Sequence, residues 1–100
     1  MTHDAGSLDA TIAAAAGTDA ELYRELRCAF RQSLARHIDL LARARCDGNW
    51  QVAAQRIDGL AASFHAHALV ALAQQAMAAA PGDPVAVRRL RAFLDDFPEI

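Results

Sequence analysis

The side chains through which this chain could do chemistry are few: His37, His65, His67, Cys28, Cys46 and the adjacent carboxylates Asp95-Asp96. An imidazole nitrogen can take a phosphoryl group or ligate a metal near neutral pH, and a thiolate can do either nucleophilic or metal chemistry. The spacing does not support either use. His65 and His67 stand two residues apart across an expected helix boundary, with no CxxC or HExxH nearby, so no zinc signature forms. There is no paired-carboxylate, Ser/His/Asp or Cys/His arrangement at usable spacing, and no Gly-rich phosphate loop. Asp95-Asp96 reads as a solvated face and His37 as a partly buried packing residue beside an apolar stripe. Cys28 and Cys46 lie in helical sequence and read as reduced, partly buried thiols of a cytosolic protein. The expectation is a non-enzyme with no metal and no cofactor.

The stretch that positions the rest is Trp50 to Leu69, WQVAAQRIDGLAASFHAHAL. At helical spacing Trp50, Ala53, Ala54, Ile57, Leu60, Ala61 and Phe64 form one apolar stripe, fit for a bundle core. Gln55, Asp58, Gly59 and Ala62 share another side, because residues three and four apart are helix neighbours. A Gly in mid-helix costs about 1 kcal/mol relative to Ala. In a chain that places Ala almost everywhere, a Gly there implies close approach to the backbone by a neighbouring helix or a partner protein.

This stretch resembles the central helix of histidine-containing phosphotransfer (HPt) domains, whose pattern runs Ala-His-x-Leu-Lys-Gly, a short apolar run, Gly and a further Leu. Here the run reads Ala54-Gln55-Arg56-Ile57-Asp58-Gly59, then Leu60 to Phe64, His65 and Leu69. The resemblance extends over nearly the whole chain in helix lengths and loop positions. It implies an all-α, up-down antiparallel four-helix bundle with an extra short N-terminal helix. It also implies a phosphoacceptor at Gln55 and a Lys at Asp58, and neither is present. A carboxamide nitrogen is delocalised into its carbonyl, so Gln55 cannot be phosphorylated. Asp58, one turn on, would repel a phosphoryl dianion about 5–6 Å away by roughly a kcal/mol or more.

The elements around the central helix follow from local signals. Met1 to Gly6 reads as a frayed terminus. Ser7 is expected to cap a short helix over 8–16, with Gly17 as its left-handed stop. Thr18 and Glu21 form a capping box opening a long helix over 19–46, with an apolar stripe of Leu22, Leu26, Ala29, Phe30, Leu34, Ile38, Leu41 and Ala44. Asp47-Gly48 breaks it, and Asn49 caps the central helix over 50–64. His65 must then take a left-handed conformation, which His adopts more readily than most non-Gly residues. A helix over 66–79 turns inward Leu69, Leu72, Ala73, Ala76 and Met77. Pro81-Gly82 makes a turn, Asp83 caps, and Pro84 starts a last helix over 84–96. Val87, Leu90, Leu94 and Phe97 form its buried side, and Pro98 closes it. Short connections make sequential helices antiparallel.

Composition agrees with a single 100-residue helical domain, numbered 1–100. Hydrophobic content is 54% with 6% aromatic, and a quarter of the chain is Ala, the best helix former. Net charge is −2 and every basic residue is Arg. No basic cluster is dense enough for nucleic acid, no apolar run reaches membrane length, and the start lacks a secretory layout. The functional expectation is a cytoplasmic pseudo-HPt module binding a response-regulator receiver domain or a histidine kinase through Gln55, Asp58, Gly59 and Ala62, with Gln51 and Arg56 at the rim. Two alternatives stay open. One is an adaptor or dimerisation bundle with an unrelated partner, and the other is an active phosphotransfer protein using His65 or His67.

Overall fold

A computed structural model describes residues 5–97, in which every regular element is helical. The order is α1 (Ala5–Ala16), α2 (Ala20–Arg43), α3 (Asp47–Ser63), α4 (His67–Ala78) and α5 (Pro84–Asp95). Helices adjacent in sequence pack on one another along α1–α2–α3, and α4 packs on both α3 and α5. α5 returns to lie against α2, so α2 to α5 close a circuit around one core, and α1 lies on α2.

The core is a continuous apolar cluster that draws on all five helices. Leu8 and Ile12 come from α1, Phe30, Leu34, Ile38 and Leu41 from α2, and Leu69, Ala73 and Ala76 from α4. From α3 come Trp50, Ala53, Ala54, Ile57 and Ala61, as the central stripe requires, with Leu60 and Phe64 half-buried at its edge. Trp50 does two jobs. Its ring is fully buried, and Nε1 donates to the Ala76 carbonyl at 2.7 Å, while the neighbouring Gln51 amide donates to the Met77 carbonyl at 2.7 Å. The Ala76 carbonyl also accepts the capping bond from the Ala79 amide at 3.1 Å, so the Trp50 bond is a second one there, and together the two side chains tie α3 to the C-terminal end of α4.

A second knot closes the other end. Phe30 meets Phe64 and Phe97 edge-on, with ring centroids 4.9 and 5.7 Å away. The Arg27 guanidinium lies 3.8 Å over the Phe97 ring and pairs with Asp9 of α1 at 2.9 Å. The Tyr23 hydroxyl also donates to Asp9, and Arg31 donates to the Leu94 carbonyl in the last turn of α5 and to the Phe97 carbonyl just beyond it.

Several boundaries differ from the sequence expectation. α1 begins at Ala5, so Ser7 lies inside it instead of capping it, and its Oγ donates to the His65 carbonyl at 3.0 Å. The cap of α2 is Asp19, not Thr18: its carboxylate accepts from the Glu21 and Leu22 amides. α2 stops at Arg43 and the break falls at 44–46, with Ala44 and Cys46 extended, so Gly48 and Asn49 sit inside α3. α4 is a residue shorter at each end than expected and α5 stops one residue early. Leu22 and Ala29 are exposed, because the N-terminal part of α2 turns Tyr23 and Arg27 towards α1 instead. Phe93 and Ala86 join Leu90 on the buried side of α5, and Phe97 is buried just beyond the helix. Met77 and Leu72 are half-buried. Pro98 and residues 1–4 lie outside the described residues.

Other expectations hold. Gly17 takes φ 65°, Asp83 caps Val85 behind Pro84, and Gly82 turns at φ 84°. His65 takes φ 56°. The Ala66 amide reaches the Ala61 carbonyl and the His65 amide the Ala62 carbonyl, the paired bonds of a Schellman cap with His in the usual Gly place.

Candidate functional site

α3 shows four sides, and they divide the sequence-derived site residues among them. The buried side is the core stripe. Opposite it, Gln55, Gly59 and Ala62 are exposed along the outer ridge. A Cβ added at Gly59 would meet nothing within 4 Å, so no neighbouring helix requires the glycine. One of the two reasons for a mid-helix Gly is thereby removed. The Gly59 carbonyl takes a second bond, from Ser63 Oγ at 2.9 Å, a local back-bond one turn on.

The other residues lean to either flank. Gln51 and Asp58, two turns apart, are half-buried on the α4 flank, where the Gln51 amide is engaged with Met77. Gln51 is therefore a helix tie more than a free rim group. Arg56 leans the opposite way, towards α2, and is exposed. The face named from sequence is thus a narrow ridge of Gln55, Gly59 and Ala62, with Asp58 on one shoulder and Arg56 on the other.

Arg56 opens onto a feature that sequence reasoning missed. Between α2 and α3 runs a cleft of about 480 Å³ lined by Leu40, Arg43, Ala44, Asn49, Val52, Ala53 and Arg56. Leu40 is 44% exposed and Val52 47% exposed, two large apolar side chains left on the surface side by side. Their signal in the sequence is that both fall outside the core stripes of their helices. Arg43 pairs with Asp39 one turn back at 3.0 Å. On α2, half-buried His37 has Nδ1 buried without a hydrogen-bond partner. Burial lowers the His37 pKa below 6.5, and the Arg36 and Arg56 cations lower it further.

The remaining chemical candidates are scattered. His65 and His67 are exposed at the α3–α4 corner, with ring centroids 6.5 Å apart, off the Gln55 ridge. Among the described residues, no three His, Cys, Asp or Glu side chains gather around a point where a metal could sit. Cys28 and Cys46 are both free and exposed, contrary to the partly buried thiols expected. No helix among the described residues is long and apolar enough to cross a membrane. Comparison with protein families, curated proteins and solved structures finds no match to this chain.

Proposed function

We propose that this protein is a cytoplasmic pseudo-HPt module that binds a response-regulator receiver domain or a histidine kinase and modulates a phosphorelay without carrying phosphate. The observation that supports this most is the open ridge at Gly59. The glycine weakens its own helix, nothing in the fold needs the space, and it lies one turn from Gln55, the position the resemblance assigns to the phosphoacceptor. The closed circuit of α2 to α5 is compatible with the up-down antiparallel four-helix bundle that this reading requires, with α1 as the extra helix.

On this reading the ridge retains docking and has lost transfer. Gln55 offers no nucleophile, and Asp58 sets a negative charge on the shoulder where a phosphoryl group would need a cation. The test mixes the purified protein with phosphorylated receiver domains and an active kinase, following both binding and acid-labile phosphate. Binding without phosphate uptake is expected. Gln55→His alone should recover little transfer, and Gln55→His with Asp58→Lys more. Strong phosphorylation of the unaltered protein at His65 or His67 would overturn this reading. The alternative of a dimerisation module has a separate observation in its favour, on the outer face of α2.

A further inference from the structure

α2 carries two complementary patches on its solvent side. Near its start Glu21, Leu22 and Glu25 are all exposed, with Leu22 exposed by 37%. Near its end Leu40 is flanked by Arg36 and Arg43 and continues into the cleft with Val52 and Arg56 of α3. One patch is acidic around a leucine, and the other is net basic around a leucine, with Arg43 paired to exposed Asp39 and Arg36 unpaired. Among the described residues, Glu21, Glu25, Arg36 and Arg56 have no ion-pair partner.

The spacing of the patches is the decisive fact. Leu22 and Leu40 are eighteen residues apart, which at about 3.6 residues per turn is five whole turns, or roughly 27 Å. They therefore project from the same side of one helix. Between them on that side lie exposed Ala29 and half-buried Ser33, small residues that let another helix come near. An antiparallel copy of α2, related by a two-fold axis near residue 31, would bring each Leu22 onto the partner's Leu40. The same operation sets Glu25 beside unpaired Arg36 twice over, and brings Glu21 to the Arg43–Asp39 pair. Isologous pairing of this kind needs a self-complementary surface, and this one complements itself in both charge and apolar position.

We propose that the outer face of α2, with the cleft beside it, is a homodimer interface in which the acidic patch of each copy seats in the basic, leucine-lined cleft of the other. The occupant is a second copy because the acidic patch and the cleft share one helix face in a register that a two-fold axis can satisfy. The contact is small and charge-led, so the dimer should be weak, forming at micromolar concentrations and dissociating as salt shortens the range of the charges. This face of α2 is distinct from the Gly59 ridge, and self-association through it does not depend on receiver binding.

The experiment is sedimentation equilibrium of the full chain at low and high salt, with charge-reversed variants. The expected mass at low salt approaches twice 10.7 kDa, falling towards the monomer at high salt. Glu25→Arg alone and Arg36→Glu alone should each be monomeric, since each places like charges opposite one another. An equimolar mixture of the two variants should regain the dimer, because both cross-contacts then pair opposite charges. Both positions are exposed, and unchanged circular-dichroism melts would confirm that folding is unaffected. A wild-type chain that stays monomeric throughout overturns the proposal, including the case in which the cleft binds an acidic segment of some other protein. So does a dimer that survives both reversals, or a mixture of the two variants that fails to associate.

Discussion

Replacing Gly59 tests whether its place on α3 belongs to the fold or to a partner. The site is exposed, and an added Cβ would touch nothing within 4 Å, so neither overpacking nor cavity filling enters. What remains is the backbone: Gly59→Ala removes the excess freedom of glycine in the unfolded chain, worth about 1 kcal/mol in a helix interior. For a domain of this size that corresponds to a rise in melting temperature of roughly 4–8 °C. Gly59→Arg should gain nearly as much, since Arg is almost as good a helix former as Ala. Binding should separate the two variants. A methyl group on the ridge should perturb a docked partner modestly, whereas Arg at its centre should weaken receiver binding more than tenfold, over about 1.4 kcal/mol. Calorimetric melts and titration of a receiver domain on both variants give the answer. A fall in melting temperature for Gly59→Ala would refute the claim that the glycine is structurally idle. Unaltered binding by Gly59→Arg would remove the ridge as a docking surface.

Two further outcomes can be read from stability alone. His65→Gly relieves a non-Gly residue at φ 56° in an otherwise intact cap, and should raise stability by about 1 kcal/mol in urea unfolding; a loss would mean that the His65 ring has a stabilising role. The lowered pKa of His37, due first to burial and then to Arg36 and Arg56, makes proton uptake easier in the unfolded chain. Its contribution is present above pH 6.5 and is lost as pH falls towards the folded value, so the urea midpoint should decline through that window and His37→Gln should flatten the decline.

What could be read from sequence was whatever rested on a strong local chemical preference. Gly17, Asp83-Pro84, the Pro81-Gly82 turn and the Trp50–Ile57–Ala61 stripe each had one dominant cause, and each holds. His65 could be placed because two helices meeting with so short a link need a left-handed residue between them. The misreadings came where two candidates stood side by side or none did. Thr18 and Asp19 can both cap, and the extended Asp19 backbone, at φ −88° and ψ 101°, brings its carboxylate over the free amides. The α2–α3 break falls at 44–46, where no Gly or Pro marks it, whereas the breaker and cap signals at Gly48 and Asn49 lie inside α3. Leu22 continues an apolar spacing that points inward. Tertiary structure overrides that spacing, since α1 docks on Tyr23 and Arg27 and rotates the buried side away from Leu22. The cleft was invisible for a related reason, as it joins Leu40 and Val52 from two helices whose relative placement no local signal encodes.

The sides of α3 also separate the residues that hold the core from those free to change. Trp50, Ala54, Ile57 and Ala61 hold the core, and Trp50 and Gln51 close the end of α4. Gln55 is exposed and Asp58 half-buried, and neither belongs to that cluster, so changing them leaves the packing untouched. A side chain on the ridge can therefore change without the stability penalty that a core substitution would carry, whereas Gly59 costs its helix about 1 kcal/mol relative to Ala. The outer face of α2 shares none of these residues. Gly59→Arg should thus leave self-association intact, and Glu25→Arg should leave the ridge free to bind, so either role can fail without taking the other with it.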